Sequence, residues 1–268
     1  MEKVRLNNLC NEAIKIIRET GEFLKEEFGK VSSEEIETKS LNSLVSYVDK
    51  TSEKKLVAGL SALLPGSVFL TEEETIQKEK GDLVWIIDPL DGTTNFLHRI
   101  PVFAISVALQ EKGETILGIV LEVVGGECYH AIKGEGAFLN GTKIKVSNSN
   151  EIGNCLIATG FPYYDFSMES SYFEAFNYFM HHTRGLRRMG AAAVDLAYVA
   201  SGRFDLYFEY SLQAWDLAAG AFLVQEAGGK VSDFKGGQDY LFSGEIIAGN
   251  TAIFEHSFPI IKKAFQKD

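Results

Sequence analysis

Positive charge is scarce in this sequence of 268 residues: 26 lysines and arginines stand against 37 aspartates and glutamates, for a net charge of −11. A groove that binds nucleic acid by neutralising phosphates needs a basic face, so we predict no direct contact with nucleic acid. An acidic surface also keeps ordinary proteins in solution, and that alone explains most of the charge. The balance is compatible with a site that gathers carboxylates around cations.

Cysteine and long apolar runs are equally sparse. Cys10, Cys128 and Cys155 are far apart, form no CxxC pair and give no disulfide framework, which is typical of a reduced compartment. The longest apolar runs are too short to cross a bilayer, and residues 1–8 lack the apolar segment of a secretory signal. We therefore predict a cytoplasmic protein without membrane contact.

Several common catalytic signatures are missing. There is no GxSxG nucleophile elbow and no HExxH zinc helix. Residues 134–143 resemble a phosphate-binding loop only superficially, since the Thr-Lys pair follows in the wrong order and a hairpin turn is predicted there. Arg184, Arg187 and Arg188 form a small basic cluster that we interpret as a solvated face or a subunit contact rather than a substrate clamp.

The spacing of apolar residues predicts helices and strands in layers, an α/β arrangement within one domain spanning 1–268. Approximate subdomains are 1–150, with an antiparallel sheet, and 151–268, an α/β half. Predicted helices cover 4–28, 50–63, 168–183, 191–201, 215–227 and 252–266, the last interrupted by Pro259. Predicted strands cover 68–70, 83–87, 103–110, 115–123, 127–132, 156–159, 206–209, 230–232 and 246–248.

Two aspartates follow a predicted buried strand. Asp88 and Asp91 are separated by Pro-Leu and are followed by Gly92 and Thr93, where we expect a helix to begin. Carboxylate and carbonyl oxygens are the ligands that Mg²⁺ prefers, and helix N-termini favour phosphate. Alone, the motif is as well explained by a β-turn with an Asx cap. A metal pair beside a phosphate cradle is the layout of a phosphatase that uses water as nucleophile.

Further carboxylates occur at element ends. Glu72 and its acidic neighbours follow the strand at 68–70, where the ordinary interpretation is a solvated charge run. Asp49 and Asp216 each stand near the start of a predicted helix, where an N-cap or first-turn role is sufficient.

Taken in order, these motifs resemble those of inositol monophosphatases, and the resemblance covers nearly the whole chain. It rests on Asp49, Glu72-Glu73, the segment 88–96, the Trp-Asp segment 215–220 and the segment 226–229. It implies an alternating αβαβα sandwich, usually a homodimer, and a magnesium-dependent, lithium-sensitive phosphatase that hydrolyses a phosphate monoester.

The resemblance also implies two to three Mg²⁺ ions. One would be bound by Glu72, Asp88 and the carbonyl of Leu90. A second would be bound by Asp88, Asp91 and Asp216. A third, weaker ion would lie near Glu72.

Catalytic and substrate roles are carried over in the same way. Glu72 and Thr93 would position and activate the attacking water, with Asp49 supporting Thr93 through a hydrogen bond. The amides of Gly92 and Thr93 would hold the phosphate, and Glu209 and the backbone of Ala192 would contact the sugar ring. The complete substrate-binding set is Gly92, Thr93, Asp91, Ala192, Glu209 and Asp216.

Departures from the family pattern leave the substrate open. Ser43 stands where many bacterial members have aspartate, and Thr71 precedes the metal glutamate where many have Gly or Ala. In relatives the loop 160–166 borders the sugar pocket, so the resemblance says little about the substrate there. Thr94, where nucleotide bisphosphatases often have Lys, favours the inositol and sugar phosphatase branch, so inositol 1-phosphate is the expected substrate. Fructose-1,6-bisphosphatase or broader sugar phosphatase activity is the alternative, and a partner-binding role with the transcription machinery is a hypothesis of a different class.

Overall fold

The structure, a computed structural model, describes residues 3–32, 37–40, 43–75, 81–162 and 165–266. Eight helices lie in this part of the chain: α1 (Lys3–Glu27), α2 (Tyr47–Leu63), α3 (Thr93–Leu97), α4 (Glu169–His182), α5 (Ala192–Ala200), α6 (Ala214–Glu226), α7 (Tyr240–Ser243) and α8 (Thr251–Phe265). The strands are β1 (Glu37–Ser40), β2 (Ser43–Val45), β3 (Val68–Thr71), β4 (Leu83–Asp91), β5 (Ala104–Glu111), β6 (Glu114–Glu122), β7 (Glu127–Ile132), β8 (Gly136–Leu139), β9 (Thr142–Ile144), β10 (Leu156–Thr159), β11 (Gly185–Arg187), β12 (Leu206–Tyr210), β13 (Lys230–Ser232) and β14 (Glu245–Gly249).

A seven-stranded sheet occupies the first half, with strand order β3-β4-β5-β6-β7-β8-β9. All its pairs are antiparallel except β3 and β4, which run parallel. Strand β4 is buried on both faces, which explains its continuous apolar run. Trp85 and Ile87 pack on the side of α1 and α2, whereas Ile86 packs on the side of α5 and α6.

A five-stranded sheet, ordered β11-β10-β12-β14-β13, occupies the second half. Helices α5 and α6 lie between the two sheets, and α4 and α8 cover the outer face of the second sheet. With α1 and α2 outside the first sheet, the layers read αβαβα from one side to the other. This confirms the predicted layered α/β fold.

Two predictions about individual elements are wrong. Strand β4 does not end at Ile87 but continues through Asp91, so both aspartates lie within the strand. Pro259 does not interrupt the last helix, because α8 runs through it. Proline removes the hydrogen bond to the carbonyl four residues earlier, and here that carbonyl belongs to the exposed Glu255, where water can replace the bond.

Other predictions concern the chain as a whole rather than a single helix or strand. The division into halves at about residue 150 remains a prediction. Across the described ranges, no helix is both long and apolar enough to span a membrane. The three cysteines are buried and free.

Candidate functional site

A β-bulge in β4 determines where the two central aspartates point. Asp88 pairs with Ser106 and Asp91 pairs with Ala104, so β4 has one residue more than β5 between these two pairs. Side chains alternate between the faces of a strand, and Asp88 therefore shares the face of Ile86, toward α5 and α6. Without the extra residue Asp91 would point the other way. The bulge at Pro-Leu restores it to the face of Asp88.

The contacts of Asp91 agree with this direction. Its carboxylate accepts hydrogen bonds from the amides of Ala192 (3.2 Å) and Ala193 (2.7 Å) at the start of α5. A helix leaves its first amides without acceptors of its own and favours negative charge there. Asp91 thus ties the first sheet to the helical layer between the sheets.

Asp216 reaches the same place from α6. It is the third residue of that helix, and its Oδ2 accepts the amide of Gln213 at 2.7 Å in a capping box. The predicted first-turn position is therefore correct. The carboxyl groups of Asp216 and Asp88 lie close enough for their charges to interact, so α6 brings its first turn against the bulge.

The electrostatics reflect how closely these groups lie. Burial, followed by the charges of Glu72, Asp91 and Asp216, raises the pKa of Asp88 well above its usual range. Burial raises the pKa of Asp91 to about 7, against the hydrogen bonds from α5. Burial and then the charge of Asp91 raise the pKa of Asp216 to about 7. In the described residues none of these three aspartates has a Lys or Arg partner.

Glu72 joins the cluster from β3. Because β3 and β4 are parallel, their carboxyl ends meet at one edge of the sheet, and the Glu72 amide extends the pairing by donating to the carbonyl of Ile87 at 3.3 Å. The charge of Glu72 contributes to the raised pKa of both Asp88 and Asp91. All four predicted acidic metal ligands are therefore brought together.

Thr93 and Asp49 are joined by a hydrogen bond next to the carboxylates. The Thr93 hydroxyl lies 2.9 Å from Oδ1 of Asp49 and 3.0 Å from the carbonyl of Leu90, either of which can accept its proton. Asp49 is buried, and its Oδ2 accepts both the amide and the hydroxyl of Ser46, each at 2.8 Å. Ser46, not Asp49, is the N-cap of α2, and Asp49 completes the capping box.

Gly92 makes the turn between the bulge and α3. Its φ of 90° is left-handed, and an added Cβ would lie 3.1 Å from the carbonyl of Val102 and 3.2 Å from that of Gly190. Glycine is therefore needed here for conformation and for space. A helix begins at Thr93, as predicted, but α3 has only five residues. It therefore offers an anion free amide donors rather than a large helix dipole.

Glu209 lines the inter-sheet side of β12. The hydroxyl of Tyr207, two residues earlier on the same face, donates to its carboxylate. Burial raises the pKa of Glu209 to about 8, with the charge of Asp216 adding to the effect and Arg188 opposing it. Ala192 lies nearby on α5, but its amide donates to Asp91, so a sugar contact through that amide would have to compete with Asp91.

Near Glu209, the sequence prediction did not include Tyr207 and Asp195, and it gave Arg188 a different role. Arg188 is half-buried beside Glu209 and Asp195, which does not fit a fully solvated face, whereas Arg184 and Arg187 are exposed. The alternative, a subunit contact, stays a prediction. Tyr207 could have been found from its period-two spacing to Glu209. Asp195 is buried in α5 with Oδ1 unpaired, and no sequence signal distinguished it.

Some positions noted in the sequence are not fully described. The side chain of Ser43 and the tyrosines at 163 and 164, in the loop bordering the predicted sugar pocket, are not described. Thr71 is buried at the end of β3.

The donor set matches the chemistry of a hard divalent cation. It offers carboxylate oxygens and one carbonyl. Asp88, Leu90 and Asp91 are buried, Glu72 and Asp216 are half-buried, and among the described residues the three aspartates have no Lys or Arg partner. Within the described ranges, no three His, Cys, Asp or Glu side chains are arranged so that they already form a metal-holding group. Mg²⁺ commonly takes only one or two carboxylates and completes its octahedron with water and phosphate, so a preformed cage is not required.

Known proteins are similar to this chain over most of its length. The model of the inositol monophosphatase family matches residues 5–264. Nus factor SuhB of Pseudomonas aeruginosa is 40% identical over 252 residues, which cover 92% of this chain and 93% of the relative. An inositol-1-monophosphatase of Mesorhizobium japonicum is 39% identical over 256 residues, covering 95% and 96%. The crystal structure of extragenic suppressor protein suhB from Bartonella henselae aligns with a TM-score of 0.90 at 39% identity, covering 94% and 98%.

Proposed function

The chain belongs to the inositol monophosphatase family, and on that premise we propose that it is a Mg²⁺-dependent phosphatase that hydrolyses inositol 1-phosphate to inositol and phosphate. The family is generally metal-dependent. The observation that carries the proposal is the convergence of Glu72, Asp88, Asp91 and Asp216 from three separate segments onto one partly buried cluster, in which the pKa values of the three aspartates are raised. Placing like charges together costs stability, so such a cluster is expected to serve a cation.

The proposed ligands of two to three Mg²⁺ ions are the four carboxylates and the Leu90 carbonyl. Bound there, Mg²⁺ would supply charge stabilisation for the phosphoryl group and a lower pKa for water. Thr93 keeps lone pairs on its hydroxyl oxygen while its proton is donated to Asp49 or Leu90, so it can orient a water by accepting a hydrogen bond. Glu72 is the proposed acceptor of the proton that this water loses.

The substrate contacts follow from the same arrangement. The amides of Gly92 and Thr93 would donate to the phosphate oxygens. Asp91 and Asp216 border this position, and Glu209 offers a carboxylate to a ring hydroxyl while Tyr207 fixes its orientation. No side chain is required as a covalent nucleophile, which fits the missing nucleophile motifs.

Phosphate release from inositol 1-phosphate by the purified protein tests this function. We expect turnover that depends on added Mg²⁺ and disappears with a chelator. Fructose 1,6-bisphosphate, assayed beside it, decides the substrate: a higher kcat/KM on the bisphosphate would replace our assignment with the sugar phosphatase alternative. No Mg²⁺-dependent release from either ester would remove the enzymatic proposal.

A second role is favoured by the name of one relative, Nus factor SuhB. We propose, as the alternative of a different class, that the protein also binds a component of the transcription machinery. The name conflicts with the prediction of no direct nucleic-acid contact. That prediction rested on net charge, which does not describe local surfaces. Complementation separates the roles, because Asp88→Asn should restore a partner-binding function but not an enzymatic one.

Gly160→Ala is expected to weaken substrate binding selectively. Gly160 follows β10 directly beside Glu209, and an added Cβ would lie 2.0–2.1 Å from the Glu209 carboxylate, which must therefore move. We expect KM for inositol 1-phosphate to rise roughly tenfold, with little change in the Mg²⁺ concentration for half-maximal activity.

Gly153→Ala is the control for this substitution, since the nearest atom to its added Cβ is 4.0 Å away. Both variants are compared by steady-state kinetics at saturating Mg²⁺. An unchanged KM in Gly160→Ala would remove Glu209 from the proposed sugar contacts. The homodimer, the lithium sensitivity and the cytoplasmic location stay predictions.

A further inference from the structure

Glu53 is a fully buried carboxylate that the proposed chemistry does not use. It lies on α2 with 0% of its surface exposed. Its Oε2 accepts the amide of Glu73 at 2.7 Å, and its Oε1 accepts the amide and the hydroxyl of Thr75 at 2.7 and 2.6 Å. A buried carboxylate is tolerated only when its oxygens are well hydrogen-bonded, and here every one of these donors comes from one short segment.

That segment is the one that presents Glu72. It leaves β3 after Thr71, and the amide of Glu72 donates a hydrogen bond of 3.3 Å to the carbonyl of Ile87 in β4. Glu74 then adopts a left-handed φ of 49°, a conformation that a residue other than glycine keeps only where its surroundings hold it. Among the described contacts, the Glu53 carboxylate accepts hydrogen bonds from Glu73 and Thr75, the residues on either side of the strained Glu74.

We propose that Glu53 is a positioning residue that holds the segment 72–75 so that the Glu72 carboxylate faces Asp88. The proposal rests on the proposed function for its consequence in catalysis, but not for the contact itself. Glu53 follows Asp49 by four residues, so both carboxylates project from the same face of α2. One receives Thr93 and the other receives the backbone after Glu72, so a single rigid helix sets the separation between the two groups proposed to orient water.

Glu53→Gln tests this inference with almost no change in volume. The glutamine side chain keeps one acceptor oxygen, but its NH₂ group faces a backbone N–H where the second carboxylate oxygen was. Either Glu73 or Thr75 therefore loses its acceptor. We expect faster hydrogen exchange at these two amides in metal-free protein and weaker Mg²⁺ binding by calorimetry. We also expect kcat to fall roughly tenfold to a hundredfold with a smaller change in KM.

Thr75→Val and Thr75→Ser provide a second, milder comparison. Valine removes only the hydroxyl donor, while serine retains it, so serine should restore the kcat and the Mg²⁺ affinity that valine lowers. This pair keeps the inference testable if Glu53→Gln does not fold, which circular dichroism and thermal melting would reveal.

Glu226→Gln is the matched control. Its carboxylate also accepts loop amides, those of Gly134 (3.0 Å) and Gly136 (3.0 Å), but from the opposite end of α6 to Asp216. It should leave Mg²⁺ binding and kcat unchanged. Unaltered exchange at Glu73 and Thr75 and unaltered Mg²⁺ affinity in Glu53→Gln would overturn the inference. If the unmodified protein binds Mg²⁺ but hydrolyses no ester, the proposed function fails, and exchange and Mg²⁺ affinity still decide the role of Glu53.

Discussion

Replacing Asp88 with asparagine is expected to lower Mg²⁺-dependent kcat by roughly a thousandfold or more. A bound metal ion stabilises the transition state by several kcal/mol, and about 1.4 kcal/mol corresponds to a factor of ten in rate. The same substitution should make the metal-free protein harder to unfold. Asp88 is buried among Glu72, Asp91 and Asp216, and their charges raise its pKa. In the folded protein Asp88 must either carry a charge beside the others or be neutralised at a cost in free energy. Asparagine avoids both costs, and we expect a gain on the order of 1–2 kcal/mol.

The local geometry should survive this change. Oδ1 of Asp88 accepts the amide of Leu90 at 2.9 Å, and an asparagine oxygen can do the same. Asp233→Asn is the matched control, since Oδ1 of Asp233 accepts the amide of Lys235 at 2.9 Å in the same i to i+2 pattern, outside the cluster. It should leave turnover intact and give no gain in stability. Turnover retained by Asp88→Asn, or a loss of metal-free stability, would contradict the assigned cluster.

The melting temperature of chelator-treated protein is expected to fall as pH rises from about 5 to 8. Aspartate and glutamate have pKa values near 4 in the unfolded chain, whereas Asp91 and Asp216 have values of about 7 and Glu209 of about 8 in the folded protein. The folded state therefore binds more protons across this interval, and its stability decreases with rising pH. The stabilising contribution is complete below the unfolded pKa and is lost as pH passes the folded values.

Added Mg²⁺ should have the opposite dependence. A cation competes with protons for the carboxylates, so its stabilising effect should be larger at pH 8 than at pH 6. Thermal melts in chelator and in Mg²⁺ at each pH measure both trends, and we expect differences of several degrees, since about 1 kcal/mol corresponds to roughly 2–4 °C in a chain of this size. Asp88→Asn should flatten the slope in chelator. A metal-free melting temperature that rises from pH 5 to 8 would contradict the raised pKa values of these carboxyl groups.

The layers and most elements of this fold could be predicted because each has a clear apolar period and a turn signal at its ends. Strands β7, β10 and β13 begin and end at the predicted residues. The short strands β1, β2 and β11 and the single-turn α7 were not predicted. They have three or four residues each and are too short for a period to be recognised.

The site was only partly accessible from sequence. The family resemblance identified residues that the structure brings together, but not how they are oriented. The bulge in β4 depends on pairing with β5, so no feature of the local sequence predicts that the Asp91 side chain lies on the same face of the strand as Asp88. Likewise, Glu53 has the helical spacing of an ordinary buried position, and its role follows only from the loop that folds over it.

The hydrogen bonds from α5 to Asp91 have a consequence for synthesis of the chain. When only the first half has left the ribosome, Glu72, Asp88 and Asp91 are already made, but neither Asp216 nor the amides of Ala192 and Ala193 exist. The seven-stranded sheet would then carry its carboxylates at an uncovered surface, open to water. The proposed metal site is therefore assembled only when the second half docks, and this requires the chain to have been made at least through Asp216.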